Sequence, residues 1–468
     1  MHACRMPRFS RRHFLGAGAA VAAGAFLPVL RPGAARAADA ADFRLRAAPG
    51  PIRLAAELPE TRAWSYNGRV PGPEIRVRQG TRLRIAVENA LAEDTTVHWH
   101  GVRVPNAMDG VPHLTQASIA PDQTFVYEFD AVDAGTFWYH PHERGFEQVD
   151  RGLYGPLIVD EPEPPRVDRD VTWVLDDWRL TQGAAISDDF GNRHDEMHNG
   201  RVGNTVTING RVPGDFAVRA GERIRLRLIN AANARIFGLV FQGLAPVVIA
   251  LDGQPVTPHA AGDVVVLGPA MRADLILDCK GAPGSRHRVI DDFYQRRAYR
   301  LLNIDYAKEE PLRETFDPVR PLPANPVAAP DLARAERHRV VFGGGMMGAM
   351  PSQREHRGMF WTVNGKVLPE GHHHPEPMLT LERGTSYRLE LVNDTSWHHP
   401  IHLHGHVFRV LSRNGRKVEG MEWGDTVLID PDNRAEIAFV ADNPGDWMFH
   451  CHVLEHQASG MMAVVRVA

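Results

Sequence analysis

Short stretches of alternating apolar and polar residues, bounded by asparagine and glycine, recur along the chain, and three share one layout. The first runs Asn67-Gly68-Arg69-Val70, then Gly80-Thr81-Arg82-Leu83-Arg84-Ile85, and closes at Asn89. The second runs Asn209-Gly210-Arg211-Val212, then Gly221-Glu222-Arg223-Ile224-Arg225-Leu226, and closes at Asn230. The third runs Asn364-Gly365-Lys366-Val367, then Gly384-Thr385-Ser386-Tyr387-Arg388-Leu389, and closes at Asn393. Successive side chains of a strand point to opposite faces, so a period of two predicts a strand with one buried face. Asn-Gly favours the tight turn between strands, because both residues tolerate positive φ. A repeat of about 140 residues has the size of a domain and is far longer than a solenoid repeat. The pattern therefore predicts an all-β chain of three related sandwich or barrel domains.

Composition agrees. A length of 468 residues exceeds one ordinary core, and 35 prolines with 42 glycines suit many short strands better than long helices. Glu161-Pro162-Glu163-Pro164-Pro165 and the proline-rich stretch 311–330 read as linkers, dividing the chain into domains 38–162, 163–320 and 321–468. The net charge of −4 gives no electrostatic argument for nucleic acid or a membrane surface. Residues 1–37 read as an export leader: Ser10-Arg11-Arg12-His13-Phe14-Leu15 resembles a twin-arginine signal, an apolar run follows, and Ala35-Arg36-Ala37 offers a cleavage site. That run is too short and too rich in Ala and Gly to span a membrane comfortably. The expected location is the periplasm or the outside of a bacterium. Cys4 leaves with the leader, so the mature chain keeps Cys279 and Cys451 and is no disulfide scaffold. Cys279 ends the apolar run Leu275-Ile276-Leu277 and is expected to be an inert buried thiol.

The histidines follow the repeat. Nine residues after Asn89 stands His98, in His98-Trp99-His100-Gly101; nine after Asn393 stands His402, in His402-Leu403-His404-Gly405. Nine after Asn230 stands Leu239, so the middle copy is apolar at this place. Gly135-Thr136-Phe137-Trp138-Tyr139-His140-Pro141-His142 likewise matches Gly445-Asp446-Trp447-Met448-Phe449-His450-Cys451-His452 position for position. Cys451 replaces Pro141, so the third module alone offers a thiol. With 24 histidines, chance yields roughly one His-x-His pair; four pairs at equivalent places in two copies are not chance. Two histidines, a cysteine and a weak axial methionine suit copper, and the stretch from His450 to Met461 contains that set. If Trp447–His452 is a strand, His450 and His452 face one metal centre while Cys451 faces another. The eight imidazoles are too many for one metal and match a cluster of three.

These motifs identify the chain as similar to the three-domain multicopper oxidases, the laccase and bacterial cuprous-oxidase family, along essentially its whole mature length. The resemblance implies three cupredoxin-like Greek-key domains and four coppers. It implies a type 1 copper on His399, Cys451, His456 and axial Met461, where the His-Pro spacing favours His399 over His398. Type 2 copper falls to His98 and His402. The two type 3 coppers fall to His100, His140 and His452, and to His142, His404 and His450. It also implies electron transfer through Cys451 to His450 and His452, reduction of O2 to water, and proton delivery by Asp109. Gln457 stands where bacterial relatives commonly carry a glutamate that helps deliver protons.

The reductant is open between phenols or aromatic amines and Cu(I). Met346, Met347, Met350 and Met359 lie in or near a glycine-methionine loop whose thioethers suit Cu(I) or fill an apolar gap. His372-His373-His374 is expected to be a solvated loop. A copper-free scaffold of the same fold, the rival class, has no use for Cys451. The chain is expected to be monomeric.

Overall fold

The computed structural model describes residues 41–346, 359–371, 375–420 and 422–468. The leader, Met347, Met350 and the histidines at 372–374 lie outside these residues. Strands dominate, arranged as six sheets in three facing pairs. Each pair is built the same way. Its opening strand runs parallel to the alternating strand found in the sequence: Phe43–Ile52 with Arg82–Asn89, Arg169–Trp178 with Arg223–Asn230, and Glu336–Gly344 with Ser386–Asp394. The fold is all-β and cupredoxin-like.

The asparagines at both ends of the repeat hold it in shape. Asn67, Asn209 and Asn364 all have positive φ, as do the glycines that follow them. Each turn asparagine also accepts a main-chain N–H from the opening strand: Arg46, Val174 and Val341, at 2.7, 2.8 and 2.8 Å. The closing asparagines act alike. The side-chain amides of Asn89, Asn230 and Asn393 donate to carbonyls in the loop that follows, at Glu93, Arg235 and Trp397. That shared anchor puts the next strand, and whatever stands nine residues on, at one place in all three copies.

Three apolar cores fill the three sheet pairs, and a smaller cluster containing Trp138, Val174, Ile229 and Leu454 sits where they meet. Cys279 is fully buried in the middle core, and burial pushes its thiol up to about 12. The alternation of Arg223–Asn230 suggests one solvent face, yet Arg225 and Arg227 are fully buried. Module one packs on that face. Arg225 bonds to Glu161 and Asp274, and Arg227 bonds to Asp170, to Asp274 and to the Thr136 hydroxyl.

Candidate metal centres

Strand register brings the histidine pairs together. His98 lies opposite His140 on the paired strands His98–His100 and Gly135–His140. In the third module His402 lies opposite His450 on His399–Leu403 and Gly445–Cys451. The matching position in the middle module pairs Leu239 with Asp291. His142, His404 and His452 follow just past the ends of their strands, so the strand through Cys451 stops one residue short of the expected His452. Modules one and three face each other, and all eight rings are buried. His98 stacks on His404 at 3.9 Å and His100 on His402 at 3.8 Å.

Two aspartates hold these rings in a crossed pattern. His98 Nδ1–H donates to the Asp109 carbonyl at 2.8 Å, and His404 Nδ1–H donates to Asp109 Oδ2 at 2.9 Å. His402 Nδ1–H donates to the Asp425 carbonyl at 2.8 Å, and His100 Nε2–H donates to Asp425 Oδ1 at 3.1 Å. Each aspartate thus fixes the first histidine of its own module by its main chain and the second histidine of the other module by its carboxylate. Such outer contacts set the tautomer and aim the free nitrogen. Asp425 is in turn forked by Arg272 of the middle module, at 2.8 and 2.6 Å. Burial alone would raise the Asp425 carboxyl, but Arg272 and His402 hold it well below the usual carboxylate range. Gly101 lies between them with φ +82; a Cβ there would sit 2.3 Å from Arg272 Nη2 and 2.5 Å from Asp425 Oδ2.

The nitrogens left over fit a metal cluster. His98 Nε2, His402 Nε2, His140 Nε2, His100 Nδ1 and both nitrogens of His142 and His452 are buried without a partner. His404 Nε2 and His450 Nε2 lie 3.0 Å apart, and each ring has its Nδ1–H committed elsewhere, to Asp109 and to the Cys451 carbonyl. Two lone pairs at that distance repel unless a cation lies between them. Burial, then repulsion from neighbouring imidazoles, lowers the pKa of His100, His142, His404 and His452 well below the ordinary value. The rings are neutral donors, as metal ligation requires. His98 with His402 and His404, His98 with His100 and His140, and His142 with His404 and His450 each bring three ligand atoms close enough to share an ion.

A second group lies on the far side of Cys451. His399 Nδ1 is 3.5 Å and His456 Nδ1 3.7 Å from Cys451 Sγ, all three residues buried. His399 Nε2 is paired with the Thr395 hydroxyl at 2.8 Å, and His456 Nε2–H donates to the His198 carbonyl at 2.6 Å. Both rings therefore turn Nδ1 toward the sulfur. Burial pushes the Cys451 thiol far up and lowers His456 to about 3; a thiolate here needs a cation beside it. Met461 is fully buried, and its main chain bonds to both Cys451 and His456. His398 points elsewhere, 3.7 Å from Asp430.

Asp109 sits at the cluster, fully buried, with Oδ1 3.3 Å from His98 Nδ1 but in no hydrogen bond. Gln457 is buried with its carbonyl oxygen unpartnered. Asp425 went unseen in the sequence because it follows His402 by 23 residues, whereas Asp109 follows His98 by 11. A search for a third-module counterpart of Asp109 is the signal that finds it. The His198 carbonyl has no sequence signal at all.

Comparison with known proteins agrees with this arrangement. Three multicopper oxidase family models match one segment each, 52–164, 169–298 and 349–468. Multicopper oxidase MmcO of Mycobacterium tuberculosis is 32% identical, over 97% of this chain and 96% of its own length. A copper resistance protein A homolog of Pseudomonas syringae is 27% identical over 86% of this chain and 89% of its own. The crystal structure of a multi-copper oxidase from Pseudomonas thermotolerans superposes with a TM-score of 0.83 at 37% identity, covering 92% of this chain and all of that one.

Proposed function

The chain belongs to the multicopper oxidase family, a copper-dependent group of oxidoreductases, and from that premise we propose that it couples one-electron oxidation of a small reductant to the four-electron reduction of O2 to water. His399, Cys451, His456 and Met461 would hold the type 1 copper. His98 and His402 would hold type 2. His100, His140 and His452 would hold one type 3 copper, and His142, His404 and His450 the other. Bound there, four coppers would supply one-electron storage and a place for O2 to be reduced.

The observation that carries this reading is the tripeptide His450-Cys451-His452. Its cysteine belongs to one ligand group and its flanking histidines to another, and His450 Nδ1–H donates back to the Cys451 carbonyl at 2.8 Å. One covalent path and one hydrogen bond thus connect the two groups. A copper-free scaffold leaves that arrangement, and the unpartnered imidazole nitrogens, without a purpose. Asp109 is the acid placed to pass a proton at Oδ1, 3.3 Å from His98 Nδ1, and to orient His404 through Oδ2. Gln457 cannot ionise, so proton supply rests on Asp109 and water.

The reductant is small: Cu(I), or a phenol or aromatic amine. Export by the twin-arginine route to the periplasm, and a monomeric state, complete the proposal; among the described residues no helix is long and apolar enough to cross a membrane. Oxygen uptake under excess reductant tests the chemistry. Four electrons consumed per O2 with no hydrogen peroxide supports it, and stoichiometric peroxide overturns it.

A further inference from the structure

The third module keeps one sheet face open to solvent. Four of its strands, Glu336–Gly344, Ser386–Asp394, Arg434–Val440 and Phe408–Arg413, lie side by side in that order. Val340, Leu389, Ile437 and Val410 point inward to the core that contains Cys451, so the residues between them point outward. The outward side forms a groove of about 770 Å³, lined by six Arg and Lys side chains against two carboxylates, Glu390 and Glu436. That volume lies in the range of small-ligand sites, roughly 300–1,000 Å³. The whole chain carries a net charge of −4, so the positive excess is local.

Strand register sets the cations in a line. Arg337 lies opposite Arg388, Arg388 opposite Ala438, and Ala438 opposite Arg409. Three guanidinium groups thus share one row across four strands, and the small Ala438 leaves room in the middle. Neighbouring strands are about 4.8 Å apart, which makes the row about 14 Å long. Like charges directly opposite one another destabilise a sheet. The two carboxylates stand in the next row and are already engaged. Glu436 accepts from Arg388 at 2.5 Å, and Glu390 lies 3.6 Å from Arg339 and 3.9 Å from Arg434. Among the described residues no ion pair joins Arg337, Arg409 or Lys417 to a carboxylate. Arg409 donates Nη2–H to the Gly420 carbonyl at 3.2 Å, yet its Nε is buried without a partner. Module one shows that the repeat does not require this excess. On its matching sheet Arg46 lies opposite Glu88 and Arg82 opposite Asp130, paired at 2.9 and 3.3 Å.

We propose that this groove binds an oligophosphate, a soluble anion of two or more linked phosphates. Guanidinium forks match phosphate oxygens two at a time, and linked phosphates place several negative charges along one row of arginines. A single phosphate fills one fork and leaves the rest of the row repelling itself. The concave shape selects an elongated soluble anion over a bilayer, whose headgroups present a flat surface. The apolar core of the module separates the groove from Cys451, so the site is independent of the oxidase reading.

Calorimetric titration of the copper-loaded full chain with sodium tripolyphosphate, and in parallel with orthophosphate, tests the site. Tripolyphosphate is expected to bind once per chain, more tightly than orthophosphate, and more weakly as salt is raised. Arg337→Ala/Lys417→Ala changes two exposed side chains, should keep the wild-type circular dichroism, and should weaken binding by at least about tenfold. Glu390→Gln frees Arg339 and Arg434 for the ligand and should tighten binding by about threefold, a gain that a damaged sheet does not produce. The metal-binding side chains are the same in all three proteins, so chelation by the probe cancels in the comparison. No binding of tripolyphosphate, or wild-type affinity in the double variant, overturns the proposal. Sedimentation with phosphatidylglycerol vesicles that the double variant abolishes, without binding of tripolyphosphate, overturns it in favour of a membrane surface.

Discussion

Arg272 joins the copper-free middle module to the histidine cluster, and replacing it by leucine tests whether that module does more than space the outer two. Arg272 is fully buried, forks onto Asp425 at 2.8 and 2.6 Å, lies 3.5 Å from Asp252, and donates Nε–H to the Thr136 carbonyl at 3.1 Å. Arg272→Leu leaves two carboxylates facing each other in the interior with no cation. Removing one partner of a buried pair costs about 3–5 kcal/mol. Asp252, which burial and the Asp425 charge already push up to about 7, can take a proton and limit the loss. The lower end, about 3 kcal/mol or roughly a hundredfold in the folding equilibrium, is therefore expected. Arg272→Lys keeps the charge but not the planar fork and should cost about 1–2 kcal/mol. Denaturant unfolding of the copper-free protein, with midpoints and slopes compared, measures the order wild type, Lys, Leu. Because Asp425 orients His100 and His402, Arg272→Leu should also weaken copper retention against a chelator by about 10–100-fold. A leucine variant within about 0.5 kcal/mol of wild type, with unchanged copper retention, refutes the reasoning.

Three further outcomes are expected. Cys451→Ser removes the one thiolate ligand, so the protein should lose its blue absorbance and one copper while the histidine cluster keeps its three; a blue variant contradicts the assignment. Burial, with Glu143 adding to it, pushes Glu370 from 4.5 up to about 7, so the folded state holds this proton more tightly than the unfolded chain. That stabilisation is complete below about pH 4.5 and lost as pH rises through about 7, so Glu370→Gln should gain up to about 3 kcal/mol over wild type near pH 8 and nothing near pH 4; a difference independent of pH removes the argument. Gln457→Glu places an ionisable group beside His456, the proposed type 1 ligand, and should raise turnover near neutral pH; an equal or lower rate across the pH range sinks that idea.

Local chemistry was the legible part of this chain. Asn-Gly turns, two-residue alternation and the nine-residue step from each closing asparagine to the next strand are all local, and they suffice to place the histidine pairs. The cross-strand contact of His98 with His140 and of His402 with His450 follows once the repeat is recognised. His399, the first residue of its strand, turns Nδ1 to Cys451, whereas His398 lies just before that strand and sits 3.7 Å from Asp430. Contacts between modules were not legible. Arg225 and Arg227 stand at the polar positions of an alternating strand, yet they are buried where module one packs on it, and Arg272 is buried among Asp425 and Thr136 of the other two modules. Asp425 escaped for the same reason: the 23-residue excursion after His402 returns to the cluster through tertiary structure, not spacing. The His198 carbonyl is main chain, which any residue supplies.

Twelve side chains are proposed to hold four coppers in two groups wired by His450-Cys451-His452. Metal analysis combined with electron paramagnetic resonance of the oxidised, copper-loaded protein tests it most directly. Four coppers per chain are expected, of which two give resonance signals, one blue type 1 and one type 2, while the remaining pair is coupled and silent. Fewer than four coppers, or four without a blue centre that disappears in Cys451→Ser, contradicts it.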